Sequence, residues 1–302
     1  MFQRDPCGLA CVFIIYLCIG YADYVVTVWL VHPIFGQSFI GLTLIGAFNI
    51  LILLTLTAHG RCMLTDPGVV PFSDPNQHRS HVNSSDDDDE SASDGDAMMQ
   101  RSRSGYAIGD NWTMCTRCKS FRPPRAHHCR VCKRCIRRMD HHCPWVNTCI
   151  GEFNQKYFLQ FLFWVGMTSL FSMLIIGITW VYDDEHASTG INGKYGENAH
   201  HVKVLHSIFL AMEAALFGMF VLAVSCDQVS AIFSDETAVE AVQRRSRMDY
   251  RRSNVRRRSR MSLLKEVCGR GPIMLWFIPC TSHKTEKDII ASAKPRQTHF
   301  DV

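Results

Sequence analysis

The stretch 139-MDHHCPWVN-147 decides the fold, because two adjacent histidines and a cysteine follow directly behind an aspartate. Histidine and cysteine are the usual ligands of zinc in proteins. The same two residue types also act as base and nucleophile in covalent catalysis. The residues around this stretch have to show whether it binds metal, performs chemistry, or does both.

A window rich in cysteine and histidine surrounds the stretch. Seven of the 14 cysteines lie between Cys115 and Cys149, together with four histidines. A closed zinc site takes four ligands, so two sites would leave three of these residues over. The window has too few aliphatic residues to build a core, so bound metal has to supply folding energy. Disulfides and a metal-free cluster of core cysteines are the weaker alternatives, since the histidines favour metal chemistry.

The four residues Asp140 to Cys143 can divide two tasks between them. In an extended chain successive side chains alternate between two faces, so His142 and His141 point in opposite directions. His142 is then the natural metal ligand and His141 the natural base for a thiol. Asp140 could turn back to hold the ring of His141, as in a catalytic triad. Spacing alone does not show that Cys143 is the spare cysteine.

Four apolar segments are each long enough to cross a bilayer, which takes about 20 residues. They are Leu9–Val31, Ser38–Ala58, Tyr157–Tyr182 and Val204–Val229. No small-residue cleavage site follows the first, so we expect it to be retained as a span. The prediction is an α-helical integral membrane protein. It has four transmembrane helices and a cytosolic zinc-stabilised cysteine-rich domain between the second and third.

Positive charge orients the spans. The loop 61–156 carries 14 Lys and Arg and the tail after the fourth span carries 15, whereas the loops 32–37 and 183–203 carry none and two. Lys and Arg concentrate on the cytosolic side of membrane proteins. Both termini and the central loop are therefore predicted to be cytosolic.

Composition divides the chain into six regions. The central linker contains the run "DDDDE" and few apolar residues, so part of it should be disordered. A calcium site there is a weaker alternative, because the spaced ligands and turn glycine are missing. The regions are a cytosolic N-terminus (1–8), spans one and two (9–58), the acidic linker (59–111), the cysteine-rich domain (112–156), spans three and four (157–229) and a basic tail (230–302).

Two acidic residues, Asp23 and Glu213, fall inside predicted spans. Either each finds a partner in the helix bundle or it forms a functional polar site in the membrane. We favour bundle partners for both.

The spacing C-x2-C-x9-HC-x2-C-x2-C-x4-DHHC-x5-C-x4-N-x3-F is met in full from Cys115 to Phe158. It resembles the cysteine-rich domain of the DHHC protein S-acyltransferases, or palmitoyltransferases. The four-span layout and the motif "TDPG" at Thr65–Gly68 extend the resemblance over most of the chain. The family implies transfer of a long-chain acyl group from acyl-CoA, through an acyl-cysteine, to cysteines of membrane-associated protein substrates.

The resemblance also implies roles for individual residues. Cys143 would carry the acyl group as a thioester, with His141 as base and Asp140 as its orienter. Two structural zinc ions would each be held by three cysteines and one histidine. The implied ligand sets are Cys115, Cys118, His128 and Cys135 for one ion, and Cys129, Cys132, His142 and Cys149 for the other.

The acyl-CoA co-substrate suggests further contacts. Arginines around the zinc sites can pair with its phosphates, although anionic lipid is an alternative partner. Small residues on the third span can leave room for the acyl chain, although close helix packing explains them too. The candidate acyl-CoA residues are Arg122, Arg125, Arg137, Arg138, Trp145, Gly166 and Thr168.

The tail departs from the family pattern. The family's "TTxE" is "TAVE" here, Thr237 to Glu240, and Leu263 and Cys268 stand where a C-terminal motif usually has an asparagine and an aromatic residue. These departures put the docking of the tail on the catalytic domain in doubt. The final "THFDV" resembles a PDZ ligand through Phe300 and Val302, so PDZ proteins are candidate partners.

Three functions compete at this point. An acyltransferase in the Golgi or another endomembrane explains both the zinc ligands and a spare cysteine beside a membrane span. A membrane-anchored zinc adaptor of the RING or LIM type explains only the ligands. A transporter is weaker, because the spans show no repeat and few polar residues. Nothing in the sequence indicates nucleic-acid binding.

Overall fold

The computed structural model describes residues 5–72, 112–187, 196–247 and 258–279. Four helices in these ranges are long and apolar enough to span a membrane, at Pro6–Phe35, Phe39–Leu64, Gln155–Asp183 and His200–Ser234. The predicted fold class is confirmed. Each predicted span coincides with one of these helices, and the helices run several residues further at one or both ends.

The helices are numbered here in chain order. The first span consists of α1, a π-helical segment at Val25–Val31 and the short α2. The others are continuous α-helices, of which α4 and α5 have 33 and 39 residues. The helices are α1 (Pro6–Tyr24), α2 (His32–Phe35), α3 (Phe39–Leu64), α4 (Gln155–Ala187), α5 (Gly196–Ser234), α6 (Ala238–Arg247), α7 (Arg260–Cys268) and α8 (Met274–Phe277).

The cysteine-rich domain consists of three small antiparallel hairpins between α3 and α4. Every strand has three residues, too short for a sheet to be stable by itself. The hairpins therefore need cross-links other than a hydrophobic core. They pair β1 (Thr113–Cys115) with β2 (Ser120–Arg122), β3 (His127–Cys129) with β4 (Arg134–Ile136), and β5 (His141–Cys143) with β6 (Thr148–Ile150).

The "TDPG" turn joins the second span to this domain. Asp66 Oδ1 accepts hydrogen bonds from the backbone N–H groups of Gly68 and Val69, both at 2.8 Å. The turn then pairs with β4, since Arg137 N donates to Gly68 O at 2.8 Å. Gly68 has a φ of +103°, which a side chain would strain. The motif thus places the hairpins at the end of α3.

The tail docks on the cysteine-rich domain despite its departures from the family motif. Thr237 and Glu240 form a capping box at the start of α6: Glu240 N donates to Thr237 Oγ1 at 3.3 Å, and Thr237 N donates to Glu240 Oε2 at 2.8 Å. Ala238 stands where the family has its second threonine, and it contributes only its backbone to the docking. The missing hydroxyl therefore leaves the docking intact.

Ion pairs add to this docking. Arg125 donates to both carboxylate oxygens of Glu240, at 2.7 and 2.9 Å, and to Asp235 at 3.1 Å. Burial opposes ionisation of Glu240, but the hydrogen bonds from Arg125 and from Thr237 outweigh it and lower the pKa of Glu240. Arg138 pairs with Glu266 of α7 in the same way.

The end of the described chain packs on the third and fourth spans. Leu263 and Val267 are buried against Ile232, with Cys268 at the edge of the same cluster. Gln160 Nε2 of α4 donates to the backbone oxygens of α8 and of the residue that follows it, Trp276 and Ile278, at 2.7 and 3.1 Å. The hydrogen bonds that hold this part of the tail on α4 are thus accepted by backbone carbonyl groups and not by side chains of the C-terminal motif.

Some predictions fall outside the described residues. These are the disorder of the acidic linker and the PDZ-like pair Phe300 and Val302. Most of the stretch 244–260, which is the most basic part of the predicted tail, also lies outside them. They stay predictions.

Gly151 provides a test of the junction between the "TDPG" turn and the hairpins. A methyl group there would lie 2.4 Å from Pro67 O and 2.7 Å from Ile136 Cγ2. We expect Gly151→Ala to force the two apart and to destabilise the protein by about 1–3 kcal/mol. Thermal unfolding in detergent measures this. The control is Gly60→Ala, where nothing lies within 4 Å of the added methyl. Equal melting temperatures for both variants would show that the contact does not matter.

Candidate active site and metal centres

Two groups of four possible ligands form in the cysteine-rich domain. In each group the ligand atoms all lie within 4.8 Å of one another. The structure thereby brings together both sets that the resemblance implied. The groups are Cys115, Cys118, His128 and Cys135 (the first cluster), and Cys129, Cys132, His142 and Cys149 (the second cluster).

The hairpin register assembles these groups. His128 stands directly opposite Cys135 in the β3–β4 pair, and His142 directly opposite Cys149 in the β5–β6 pair. Neighbouring residues of a strand point to opposite faces, so Cys129 joins the second cluster while His128 joins the first. The two clusters therefore interleave along the chain, and each cross-links hairpins that are too short to stand alone.

The geometry of both clusters fits zinc. Tetrahedral ligands with zinc–sulfur bonds of about 2.3 Å lie about 3.8 Å from one another. The sulfur atoms of Cys132 and Cys149 are 3.4 Å apart, and those of Cys118 and Cys135 are 3.7 Å apart. His142 turns Nδ1 toward the three sulfurs of its cluster, at 3.4–3.8 Å. Three thiolates and one imidazole leave no coordination position open, which is typical of a structural site.

Cys143 belongs to neither cluster. It is buried, and it lines the same cavity as His141, close enough to raise the pKa of that ring. His141 Nδ1 lies 2.8 Å from Asp140 Oδ2. The ring of His141 thus lies between the carboxylate of Asp140 and the thiol of Cys143. This is the arrangement in which a histidine can take a proton from a nucleophile.

Asp140 is held as an anion by three donors. Besides His141, it accepts from Gln228 Nε2 of α5 at 2.7 Å and from the backbone N–H of Ala238 at 2.8 Å. Burial alone would raise the pKa of Asp140, but the hydrogen bonds from these three groups outweigh it and lower the pKa. The carboxylate can therefore fix one tautomer and one orientation of His141.

His141 responds to this carboxylate. Burial disfavours its charged form, but the hydrogen bonds to Asp140 and to Cys143 more than compensate and raise the pKa of His141 to about 9. A protonated His141 is stabilised by the carboxylate of Asp140 on one side of the ring and by the sulfur of Cys143 on the other. The site is arranged to hold a proton that has left a thiol.

Sequence reasoning missed Gln228 and the N–H of Ala238. Gln228 stands 88 residues from Asp140, and a backbone donor has no sequence signature. The only available signal was the "TAVE" motif, which places the start of a helix at Ala238. Both donors become part of the site only because α5 and the tail pack on β5.

A cavity of about 290 Å³ begins at His141 and Cys143 and extends between the spanning helices. Apolar side chains such as Phe161 and Val221 form most of its wall, and Trp145 and Thr168 also line it. The cavity joins the thiol to an apolar interior at membrane depth. It can hold a hydrocarbon chain attached to a group at the Cys143 sulfur.

The other candidate acyl-CoA residues do not line this cavity. A methyl group added at Gly166 would lie 3.6 Å from Val221 Cγ2, which is the distance of ordinary helix packing. Arg125 and Arg138 already pair with tail carboxylates. Arg122 donates to Thr113 Oγ1 at 3.3 Å, and Arg137 lies against Gly68. Their contact with acyl-CoA stays a prediction.

The two acidic residues of the spans differ in their surroundings. Asp23 accepts from Asn49 Nδ2 at 3.3 Å, which is a bundle partner as expected. Glu213 lines the cavity together with Cys18. Its role stays a prediction.

Comparison with known proteins gives a consistent result. The sequence model of the DHHC palmitoyltransferase family matches residues 108–245. Palmitoyltransferase ZDHHC7 of Rattus norvegicus is 33% identical over 283 residues, which cover 92% of this chain and 80% of that protein. Palmitoyltransferase ZDHHC3 of Homo sapiens is 35% identical over 247 residues, covering 82% and 74%. Palmitoyltransferase ZDHHC3-A of Danio rerio is 33% identical over 290 residues, covering 95% and 81%.

Metal content tests whether His142 is a zinc ligand and whether its neighbours His141 and Cys143 are not. We expect His142→Ala to hold fewer than two zinc ions per chain and to become sensitive to protease, because the small apolar clusters of the domain consist largely of the cysteine ligands themselves. His141→Ala and Cys143→Ser should keep two ions. Elemental analysis of the purified variants measures this. Loss of zinc from Cys143→Ser, or full zinc in His142→Ala, contradicts the assignment.

Proposed function

The chain belongs to the DHHC palmitoyltransferase family and is a protein S-acyltransferase, and on this premise we propose that Cys143 carries the acyl group between acyl-CoA and the protein substrate. One observation supports this above all. Cys143 lies outside both metal clusters, contacts a histidine held by a carboxylate, and opens to an apolar cavity. A zinc adaptor would need none of these three features.

The first step loads the enzyme. His141 takes the proton of the Cys143 thiol, and the thiolate attacks the thioester carbonyl of a long-chain acyl-CoA. The bond between that carbonyl and the CoA sulfur breaks. The CoA thiolate leaves and takes up the proton from His141, and the acyl group remains on Cys143 as a thioester.

The second step unloads it. His141 now takes the proton from a cysteine of the protein substrate, whose thiolate attacks the acyl carbonyl on Cys143. The bond to the Cys143 sulfur breaks, and this sulfur recovers the proton from His141. Asp140 stabilises the imidazolium in both steps and does not itself take a proton.

The two clusters would each hold one structural zinc ion. The metal, when bound, cross-links the hairpins and takes no part in the transfer, because each ion has four protein ligands. His142 and Cys149 in particular fix β5 against β6, and Cys143 lies at the end of β5. The second cluster thus sets where the nucleophile stands.

The cavity would hold the acyl chain. Burial of a hydrocarbon contributes about 0.8 kcal/mol per CH2 group, so a palmitoyl chain gains much of its binding energy there. Trp145 and Thr168 are the predicted chain-binding residues that line the cavity. Arg122, Arg125, Arg137 and Arg138 stay the predicted partners of the CoA phosphates, and of these Arg125 and Arg138 already pair with tail carboxylates.

Charge distribution supports a cytosolic site. The loop 61–156, which holds the cysteine-rich domain, is rich in Lys and Arg, and so is the tail. We therefore place both termini in the cytosol, with membrane-associated proteins as substrates and the Golgi or another endomembrane as location. PDZ proteins remain candidate partners of the C-terminus.

Labelling with a clickable palmitoyl-CoA tests the assignment of Cys143. We expect one hydroxylamine-sensitive acyl group per chain in the wild type and none in Cys143→Ser, since only a thiol at this position can form the thioester. Cys226→Ser is a matched control, because Cys226 is exposed and distant in sequence from the site. A labelled Cys143→Ser protein would place the acyl group on another residue and refute the assignment.

The backbone donor to Asp140 gives a second prediction. Proline is accepted at the first position of a helix, so Ala238→Pro should remove the N–H and little else. A hydrogen bond to a charged group is worth about 1.5–3 kcal/mol, so acyl-enzyme formation should slow by about tenfold or more. Rapid-quench labelling measures the rate.

Ala238→Gly is the control, because it keeps the N–H and should load at nearly the wild-type rate. Zinc content should be two per chain in both variants. If the proline variant loads as fast as the glycine variant, the tail does not support catalysis through Asp140.

A further inference from the structure

The first spanning helix begins beside the second cluster. Asp5 caps α1, since its Oδ1 accepts from the backbone N–H of Cys7 at 3.2 Å. Its other carboxylate oxygen, Oδ2, lies 3.6 Å from Nε2 of His142. One carboxylate therefore faces both a helix end and a histidine of the second cluster.

His142 has one ring nitrogen left over. Nδ1 faces the cluster sulfurs, so Nε2 points away from them. This Nε2 is buried and makes no hydrogen bond within the described part of the chain. A histidine that binds a metal through one nitrogen ordinarily donates the other N–H to a carboxylate, a carbonyl or water. Asp5 supplies such a carboxylate, and a small rotation of its side chain would shorten 3.6 Å to a hydrogen bond.

A second contact holds the helix in this place. A methyl group on Gly8 would lie 2.3 Å from Asn147 Oδ1, so α1 approaches the turn after Cys143 as closely as a glycine allows. Residues three apart lie on the same side of a helix, so Gly8 and Asp5 face the cysteine-rich domain together. The approach of Asp5 to His142 is thus built into the packing of α1.

We propose that Asp5 is a positioning residue that orients His142 in the second cluster and thereby connects the first span to the nucleophile. Cys143 follows His142 directly, so a shift of the histidine ring would move the sulfur. The proposal rests on the zinc site described under Proposed function. It adds a residue from the far N-terminal part of the chain, which contributes no metal ligand.

The alternative is that Asp5 acts only as a helix cap. Asp5→Ser separates the two roles, because serine caps a helix about as well as aspartate but places no oxygen near His142. Asp5→Asn is the conservative variant, since its single amide oxygen can accept from the Cys7 N–H or from His142 Nε2 but not from both, and it lacks the charge. Cys7→Ser is the matched control in the same turn.

The experiment follows the release of zinc from the purified full-length protein in detergent to a chromogenic chelator in excess. Loss of such a partner typically weakens metal binding 10–100-fold. We expect Asp5→Ser to release one equivalent about 10–100-fold faster than the wild type and the other at the wild-type rate. Asp5→Asn should be intermediate, and Cys7→Ser should match the wild type.

Alkylation of the released thiols identifies the site. Cys129, Cys132 and Cys149 should react at the fast rate in Asp5→Ser, while Cys115 and Cys118 stay protected. Gly8→Val, which would push α1 away with Asp5 unchanged, should speed release of the same equivalent.

Three results would overturn the proposal. They are release of zinc from Asp5→Ser at the wild-type rate, faster release of both equivalents together, and fast alkylation of the thiols of the first cluster. A wild-type protein that holds no zinc would instead refute the zinc sites and the proposal with them, so the two failures are distinguishable.

Discussion

The catalytic arrangement depends on the burial of one carboxylate, Asp140, at the meeting point of three parts of the chain. The hairpins supply the residue itself and His141, the fourth span supplies Gln228, and the tail supplies the N–H of Ala238. A buried anion is costly unless hydrogen bonds satisfy it. Its presence therefore couples the position of α5 and α6 to the orientation of His141, the proposed base.

Cross-linking by metal at the two clusters would allow so small a domain to hold Cys143, the proposed nucleophile, rigidly. Strands of three residues cannot fix a side chain, but clusters that join facing strands can. Strand β5, in which His142 pairs with Cys149 of β6, ends at Cys143. Residues of the second cluster and residues of the proposed active site thus alternate along one strand, with side chains on opposite faces, so the position of His142 also sets the position of Cys143.

The membrane helices complete the site in a different way. They supply an apolar cavity at the nucleophile, and the "TDPG" turn and Asn154 fix their ends against the hairpins. Asn154 donates to Cys149 O at 2.8 Å and to Cys62 O at 3.3 Å, so it joins the second span, the last hairpin and the start of α4. The buried thiol of Cys143, at the end of strand β5, thus lines the apolar cavity between the spanning helices.

The sequence by itself determined the number of spans, the place of the domain between them and the family, because apolar length and cysteine spacing are local properties. It also predicted the side chains of "DHHC" that meet, since strand alternation depends only on neighbours. Only the tertiary structure decided that Gln228 and Ala238 hold Asp140 and that the tail carboxylates occupy Arg125. Those contacts join residues about 90 or more positions apart, and one uses a backbone N–H that every residue but proline has. No pattern of residue types can encode such a contact before the helices pack.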